Sequence, residues 1–155
     1  MALDFPFEAF LQRVEARLDP VDLVKMPGVE EGVTHALLDI AMRETAEEVG
    51  IDARQGGRLL GRLPTVHPLS TRIPSITVTP FVALAPQDAI PRVQPAEVAE
   101  AFWLPLAALR RTGRSAVVHW EAKEGMRESP AFPSPKGLIW GITERILSQF
   151  LALAE

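Results

Sequence analysis

The chain contains no cysteine among its 155 residues. Disulfide bonds, thiolate nucleophiles and cysteine metal ligands are therefore excluded. It also has no uninterrupted apolar run approaching the roughly 18 residues that a membrane-spanning helix needs, and its start, Met1–Phe5, lacks the basic and apolar regions of a signal peptide. We therefore expect a cytoplasmic protein without a membrane partner.

Positive charge is in deficit, because 16 Lys and Arg residues stand against 20 Asp and Glu residues and the net charge is -4. Proteins that bind a nucleic-acid backbone normally carry a basic face, so we expect no nucleic-acid partner. Three widely separated histidines form no zinc pattern. Ordinary fractions of hydrophobic (47%) and charged (23%) residues indicate one globular domain spanning residues 1–155.

The most informative stretch runs from Arg43 to Gly50 and reads R-E-T-A-E-E-V-G. At about 100° per residue, Glu44, Glu47 and Glu48 project from one face of a helix. Like charges so placed repel one another, and a hard divalent cation such as Mg²⁺ or Mn²⁺, which prefers carboxylate oxygens, would remove that cost. The alternative is an acidic face that is merely solvated, as most charge runs are.

The helix that carries these carboxylates is predicted to run from Thr34, its N-cap, to Val49. Gly50 then suits the C′ position, where a left-handed conformation is needed. An apolar stripe at helical spacing is expected to be buried on the opposite side, and it consists of Leu38, Ala41, Met42, Thr45 and Val49.

Helix and strand patterns alternate along the chain, which favours an α/β (α+β) fold with helices packed on a mixed sheet. Further helices are predicted at Phe5–Leu18, Pro105–Arg111 and Gly137–Ala154, and strands at Val21–Met26, Arg58–Leu63, Glu97–Leu104 and Ala116–Trp120. Residues Ile73–Ala85 are predicted to form a strand or a hairpin arm. The proline-containing segment Glu121–Pro135 is predicted to be a polar loop.

The string R-E-T-A-E-E-V-G-I resembles the second half of the Nudix box, G-x5-E-x7-R-E-U-x-E-E-x-G-U, in which U is a bulky aliphatic residue. The residues that match it are Arg43, Glu44, Glu47, Glu48, Gly50 and Ile51. Thr45 stands where an aliphatic residue is usual. The first half departs further, because Val29 takes the place of the glycine and His35 that of the glutamate. A one-residue shift to Gly28 would recover the glycine but not the glutamate.

Later segments resemble the coenzyme A pyrophosphatase-like branch of this family. The matching stretches are residues 61–64, 75–84, 97–106 and 138–147. The part before Arg43 has neither the L-L-T-x-R string nor the Gly-Gly pair of that branch, so coenzyme A is not carried over as a substrate. The resemblance implies an α/β/α sandwich that is shortened at its N-terminal side. Missing strands would leave sheet edges uncovered, so either a partner chain covers the gap or the sheet is rearranged. We expect a homodimer with an interface near this side.

The resemblance also implies an activity, the hydrolysis of the pyrophosphate bond in a nucleoside diphosphate linked to another moiety. Glu44, Glu47 and Glu48 would hold Mg²⁺ or Mn²⁺, and Arg43 would orient a glutamate, so that these four are the predicted catalytic residues. The alternative is a Nudix-fold domain that has lost catalysis and binds a nucleotide or a protein. Val29 and His35 favour that alternative.

Outside the box the signals are weaker. His67 and Arg72 are candidate contacts for a substrate phosphate. A general base could come from Glu97, Glu100, Glu121, Glu124 or Glu128, and the sequence selects none of them. The arginines at 110, 111 and 114 are read either as a phosphate site or as a solvated helix end. Trp120 is the best candidate for stacking on a base, whereas Trp103 and Trp140 are expected in a core or an interface.

Overall fold

A computed structural model describes residues 7–18, 31–69 and 76–153 of the chain. In chain order the helices and strands are α1 (Phe7–Arg17), α2 (Glu31–Val49), β1 (Arg58–Arg62), β2 (Phe81–Leu84), α3 (Leu106–Thr112), β3 (Ala116–Ala122), β4 (Gly125–Ser134), β5 (Gly137–Ile139) and α4 (Gly141–Ala152). None of the helices in these ranges is long and apolar enough to cross a membrane. The predicted strand Val21–Met26 and the candidate residue Arg72 lie outside the described residues.

The strands form two antiparallel sheets. Strands β1 and β2 pair with each other, and β3, β4 and β5 form a three-stranded sheet in that order. Helices and antiparallel strands together confirm the α+β class expected from the sequence. Strand β3 follows the period of two that a sheet imposes, since Val117, His119 and Glu121 are exposed while the residues between them are half-buried.

The chain divides into two compact units. The first comprises the described parts of residues 1–16, 64–80 and 104–155, and the second those of residues 17–63 and 81–103. In the first unit Leu109, Phe132 and Leu151 form a buried cluster, and the rings of Phe10 and Phe150 meet edge-to-face with centroids 5.6 Å apart. The single domain over residues 1–155 stays a prediction.

The second unit holds α2 and the β1–β2 pair. A turn joins them, in which Asp52 accepts hydrogen bonds at Oδ1 from the backbone N–H of Arg54 at 3.0 Å and from its Nε at 3.1 Å. Gln55 donates from Nε2 to Oδ2 at 3.2 Å. This is the local side-chain-to-backbone bonding that makes aspartate common in turns. The chain then passes through Gly56 and Gly57 into β1.

Several predicted elements are confirmed in type and shifted in extent. Phe10 and Val14 of helix α1 and Leu18, which directly follows it, are buried, as their spacing of four indicates. Helix α2 begins at Glu31, so Thr34 lies inside it and the prediction of an N-cap at Thr34 was wrong. Helix α3 and strands β1 and β3 lie where the sequence placed them, whereas only Phe81–Leu84 of the predicted strand Ile73–Ala85 forms a strand among the described residues.

Three predictions assigned the wrong type of secondary structure. Glu97–Leu104 is not a strand, because the backbone N–H groups of Glu97 and Val98 both bond to the carbonyl of Gln94 in a turn. The predicted loop Glu121–Pro135 is largely strand β4. The start of the predicted helix Gly137–Ala154 is strand β5, because the Ser134 hydroxyl accepts from the Lys136 N–H and donates to the Gly137 carbonyl, which closes a tight hairpin.

Gly57 gives the first testable prediction. A Cβ added there would lie 2.6 Å from the carbonyl oxygen of Ala53 and closer still to that of Leu84. Both obstacles are backbone atoms that cannot rotate away, so we expect Gly57→Ala to cost about 3 kcal/mol in the free energy of unfolding, the upper end for overpacking. Urea denaturation monitored by circular dichroism measures this cost.

The matched control is the neighbouring Gly56→Ala. Gly56 has φ +84° and a Cβ there would meet only Pro86 Cβ, at 3.8 Å, so its cost is that of a left-handed conformation alone, about 1–2 kcal/mol. Equal losses in the two variants would show that β2 does not approach Gly57 as described.

Asp52 gives a pH-dependent prediction. The bond from the Arg54 backbone N–H, together with the Arg54 side chain, holds the pKa of Asp52 below its usual value of 3.8. A lowered folded-state pKa contributes stability that is present above the unfolded pKa and is lost as pH falls through the folded one. We expect Asp52→Ala to lower the melting temperature at pH 6 and the difference to shrink as the pH approaches 3. A difference that is constant over this range would contradict the assignment.

Candidate active site

The three candidate carboxylates of helix α2 differ in burial. Glu44 and Glu48 are half-buried and lie one turn apart, whereas Glu47 is exposed. Met42 is buried and Thr45 is exposed, so the prediction that Thr45 belongs to the buried stripe was wrong. Its hydroxyl instead donates to the carbonyl of Ala41 at 2.7 Å. An exposed threonine at this position explains why no aliphatic residue is required there.

Arg43 pairs with the first of these carboxylates. Its Nη2 donates to Oε1 of Glu44 at 2.7 Å, and the two side chains are 57% and 43% exposed. An ion pair so exposed contributes little to stability, about 0–1 kcal/mol. What the contact does is restrict the directions in which the Glu44 carboxylate points.

The C-terminal end of α2 is closed by a segment from elsewhere in the chain. The backbone N–H of Arg92 donates to the carbonyl of Val49, and that of Gln94 to the carbonyl of Glu48, both at 2.8 Å. Gly50 adopts φ +69° and donates to the carbonyl of Ala46 at 3.0 Å, as expected for a C′ glycine. Carbonyls that a helix end leaves unpaired are thereby satisfied, and the backbone of Glu48 is fixed.

Two cavities adjoin this helix end in the same unit. One of about 470 Å³ is lined by Gly50, Ile51, Asp52, Gln55, Pro86, Asp88, Ala89, Ile90 and Arg92. The other, of about 330 Å³, is lined by Val49, Ile51, Pro91, Glu100, Ala101, Phe102 and Trp103. Neither set includes Glu44, Glu47 or Glu48.

The second cavity brings Trp103 together with one of the general-base candidates. Trp103 was expected in a core or an interface, and its side chain is 60% exposed here beside Phe102 and Glu100. Trp103 lies within residues 97–106, one of the stretches that resemble the family, but a strand prediction there gives no sign of a cavity. Glu100 is the one general-base candidate that lines this cavity.

The remaining candidates lie mostly in the other unit. Of the hairpin glutamates, Glu124 pairs with Arg127 at 3.1 Å and Glu128 with His119 at 3.4 Å. Trp120 is half-buried, donates from Nε1 to the Ser129 hydroxyl at 2.8 Å, and has a centroid-to-centroid distance of 6.4 Å to Trp140. Its ring therefore packs within the sheet region, which favours a structural role over stacking on a base.

His67 also lies in the first unit, beside the bridge that pairs Val66 with Val78. Its Nδ1 is 3.2 Å from the carbonyl oxygen of Ile76 and 3.4 Å from the Thr77 hydroxyl, and Arg145 donates to its backbone carbonyl. In the neutral ring either Nδ1 carries the proton and donates to the Ile76 carbonyl, or Nδ1 accepts from the Thr77 hydroxyl and Nε2 carries the proton; only the second tautomer can donate from Nε2 to a phosphate oxygen. His67 is exposed, so a substrate could reach it.

The fit of a divalent metal rests on donor chemistry. Within the described ranges, no three His, Cys, Asp or Glu side chains come together as a ligand group. Mg²⁺ is, however, commonly bound by one or two carboxylates and completes its shell with water and substrate phosphates. Glu44 and Glu48 supply two such carboxylates on adjacent turns, so the donors present fit a hard cation bound together with a substrate.

A comparison with known protein families supports the family resemblance of α2 and its flanks. A scan of protein families matches residues 28–125 to the NUDIX domain, which is more than half of the chain. No curated protein matches the sequence. The family match ends before residues 138–147 and gives no support to the coenzyme A pyrophosphatase-like branch. The chain therefore belongs to the Nudix family, a family of hydrolases that act on phosphorus anhydrides.

Proposed function

We propose that the protein is a metal-dependent hydrolase that cleaves the pyrophosphate bond of a nucleoside diphosphate linked to another moiety. The observation that carries the proposal is the arrangement on α2, where half-buried Glu44 and Glu48 lie one turn apart and Arg43 is already paired with Glu44. This arrangement falls within the region matched to the family.

In this proposal Glu44 and Glu48 hold Mg²⁺ or Mn²⁺. A bound divalent cation neutralises phosphate oxygens and lowers the pKa of bound water. Arg43 restrains the Glu44 carboxylate, and Gln94, by bonding to the carbonyl of Glu48, restrains the backbone from which the second carboxylate projects. Exposed Glu47 acts through water as a further ligand or as a base. His67 and Arg72 are the proposed contacts for a substrate phosphate.

A second candidate function is a binding domain without catalysis. It is favoured by Val29 and His35, which replace the box glycine and the first box glutamate. The hydrolase is preferred because the arginine and the three glutamates of the second half of the box are all present.

A substrate panel tests the proposed function. Phosphate release, coupled to a phosphatase where needed, would be measured with Mg²⁺ and with Mn²⁺ on ADP-ribose, NADH, coenzyme A, diadenosine polyphosphates and nucleoside triphosphates. Turnover that requires metal establishes the hydrolase and names its substrate class. No turnover on any member by the folded protein would favour the binding domain.

The substitution Glu48→Gln gives the residue-level prediction within that panel. Loss of a direct ligand is expected to lower kcat/KM by at least about 100-fold, because even the outer-shell partners of a metal site cost 10–100-fold. We also expect weaker Mn²⁺ binding in an electron paramagnetic resonance titration, which does not depend on turnover.

The matched control is Asp39→Asn on the same helix. Asp39 is exposed and lies nine positions before Glu48, which at about 100° per residue places it on the opposite side of α2. It should leave both activity and Mn²⁺ affinity within about twofold, the scatter expected away from a site. Wild-type turnover in Glu48→Gln, or an equal loss in Asp39→Asn, would contradict the metal assignment.

A homodimer is the second part of the proposal. It rests on the shortened N-terminal side that the family resemblance implies, because sheet edges left without partner strands favour pairing with a second chain. We expect sedimentation velocity at micromolar concentration to give a dimer mass. A strictly monomeric species at these concentrations would refute this part and leave the catalytic proposal standing.

A further inference from the structure

A cavity of about 410 Å³ lies in the unit that contains the β3–β4–β5 sheet. It is lined by Leu109, Arg110, Gly113, Arg114, Phe132, Ser148, Leu151 and Ala152. Its volume falls within the range of about 300–1,000 Å³ that is typical of small-molecule sites. The proposed hydrolytic function uses none of these residues.

A buried carboxylate organises the polar side of this cavity. Oε1 of Glu144 accepts a hydrogen bond from the Ser148 hydroxyl at 2.7 Å and lies 3.4 Å from Nη1 of Arg114. Glu144 is only 3% exposed, so its position is set by packing. Ser148 and Arg114 both line the cavity, and their contacts with Glu144, which is not among the lining residues, restrict their positions.

Arg114 keeps donors available for a ligand. A guanidinium carries five N–H groups in a planar fork that suits carboxylate and phosphate oxygens. Among the described residues Glu144 is the partner seen for Arg114, through Nη1, and the Arg114 side chain remains 53% exposed. No acidic side chain is among the residues lining the cavity.

The second arginine of the cavity is fixed against α1. The guanidinium carbon of Arg110 lies 6.0 Å from the centroid of the Phe10 ring, a distance at which a cation and a ring attract. Arg111, next to it in α3, is exposed and does not line the cavity. The three arginines that the sequence offered as one cluster are therefore separated into two that line a cavity and one that does not.

The other side of the cavity is apolar. Leu109, Phe132 and Leu151 line it and also form the buried cluster of this unit. These side chains are themselves nearly fully buried, so the gain would come mainly from the apolar chain of the ligand, whose removal from water is favourable at about 25 cal/mol per Å². An inorganic anion would leave this side unused.

We propose that this cavity binds an amphipathic anion, with its carboxylate or phosphate head on Arg114 and its apolar chain against Leu109, Phe132 and Leu151. The proposal is independent of the hydrolase, because it rests on α3, β4 and α4 and not on the carboxylates of α2. It combines a pre-positioned donor with an apolar wall, which is the usual composition of a small-molecule site.

The test is a titration of the full chain with octanoate and with octyl phosphate, followed by NMR of the Leu109 and Leu151 methyl groups. Comparing the two probes identifies which head group is preferred. Octanamide, which has the same chain without charge, and inorganic phosphate, which has the charge without the chain, are both expected to bind at least about tenfold more weakly. Ionic strength is held at about 0.1 M to screen distant charges.

The double variant Arg114→Gln/Glu144→Gln removes the head-group donor without leaving a buried charge unpaired, which Arg114→Gln alone would do. We expect it to lose about tenfold or more in affinity while melting near the wild-type temperature. The control Arg111→Gln removes one positive charge from the same helix and should bind within about twofold of wild type.

Three results would overturn the proposal. The first is the absence of methyl shifts with either probe at millimolar concentration. The second is equal binding of octanamide or of inorganic phosphate, which would show that binding does not require the negative charge and the apolar chain together. The third is an equal loss of affinity in Arg111→Gln, which would show that general attraction to basic residues explains the binding.

Discussion

The closure of the C-terminal end of α2 fixes the backbone from which Glu48 of the candidate active site projects. A helix leaves its last carbonyls unpaired, and here Arg92 and Gln94 satisfy those of Val49 and Glu48. The bonds bring the segment around residues 90–94 against the helix end. Gly50 makes this approach feasible, since a Cβ there would lie 3.2 Å from Arg92 Cβ. The two cavities described above border on this junction.

Carboxylates that are partly or fully buried in this protein differ in whether they have partners within the fold. Glu144 has its partners inside the fold, Arg114 and Ser148, and serves to position them. In the described residues the Glu48 side chain shows no such partner, although it is half-buried beside Glu44. A pair of neighbouring carboxylates without enough internal cations carries a repulsion that an external cation relieves. This contrast separates a structural carboxylate from a candidate ligand more clearly than sequence spacing does.

Sequence reasoning predicted what depends on local patterns. The four-residue spacing of Phe10, Val14 and Leu18 is enough to define α1, and Gly50 marked the end of α2 because few other residues adopt its φ of +69°. It could not place the two β-hairpins after residue 121, because Pro130 and Pro133 in β4 resemble loop residues. In the described pairing Pro130 has its partner in β3 alone and Pro133 in β5 alone, so each lies where one side of β4 is unpaired and its missing N–H costs no ladder bond, which no local pattern reveals.

The same limit applies to the site. The spacing of Glu44, Glu47 and Glu48 defines a helix face, but tertiary packing decides that the outer two are half-buried and the middle one exposed. The apposition of Arg92 to Val49 joins residues more than 40 positions apart, and Arg114 finds Glu144 across 30 positions. Neither contact leaves a trace in a single sequence, because the residues involved are ordinary at their own positions.

The two compact units are built from alternating segments of the chain, which limits how one can be separated from the other. The polypeptide crosses from one to the other after residues 16, 63, 80 and 103, so neither unit is a continuous piece of sequence. A fragment of residues 17–103 holds the whole second unit but carries residues 64–80 of the first with it, and no single proteolytic cut releases either unit intact. In each unit, contacts between segments that are distant in sequence form only after a long loop has closed, so the folding of one unit is linked to that of the other.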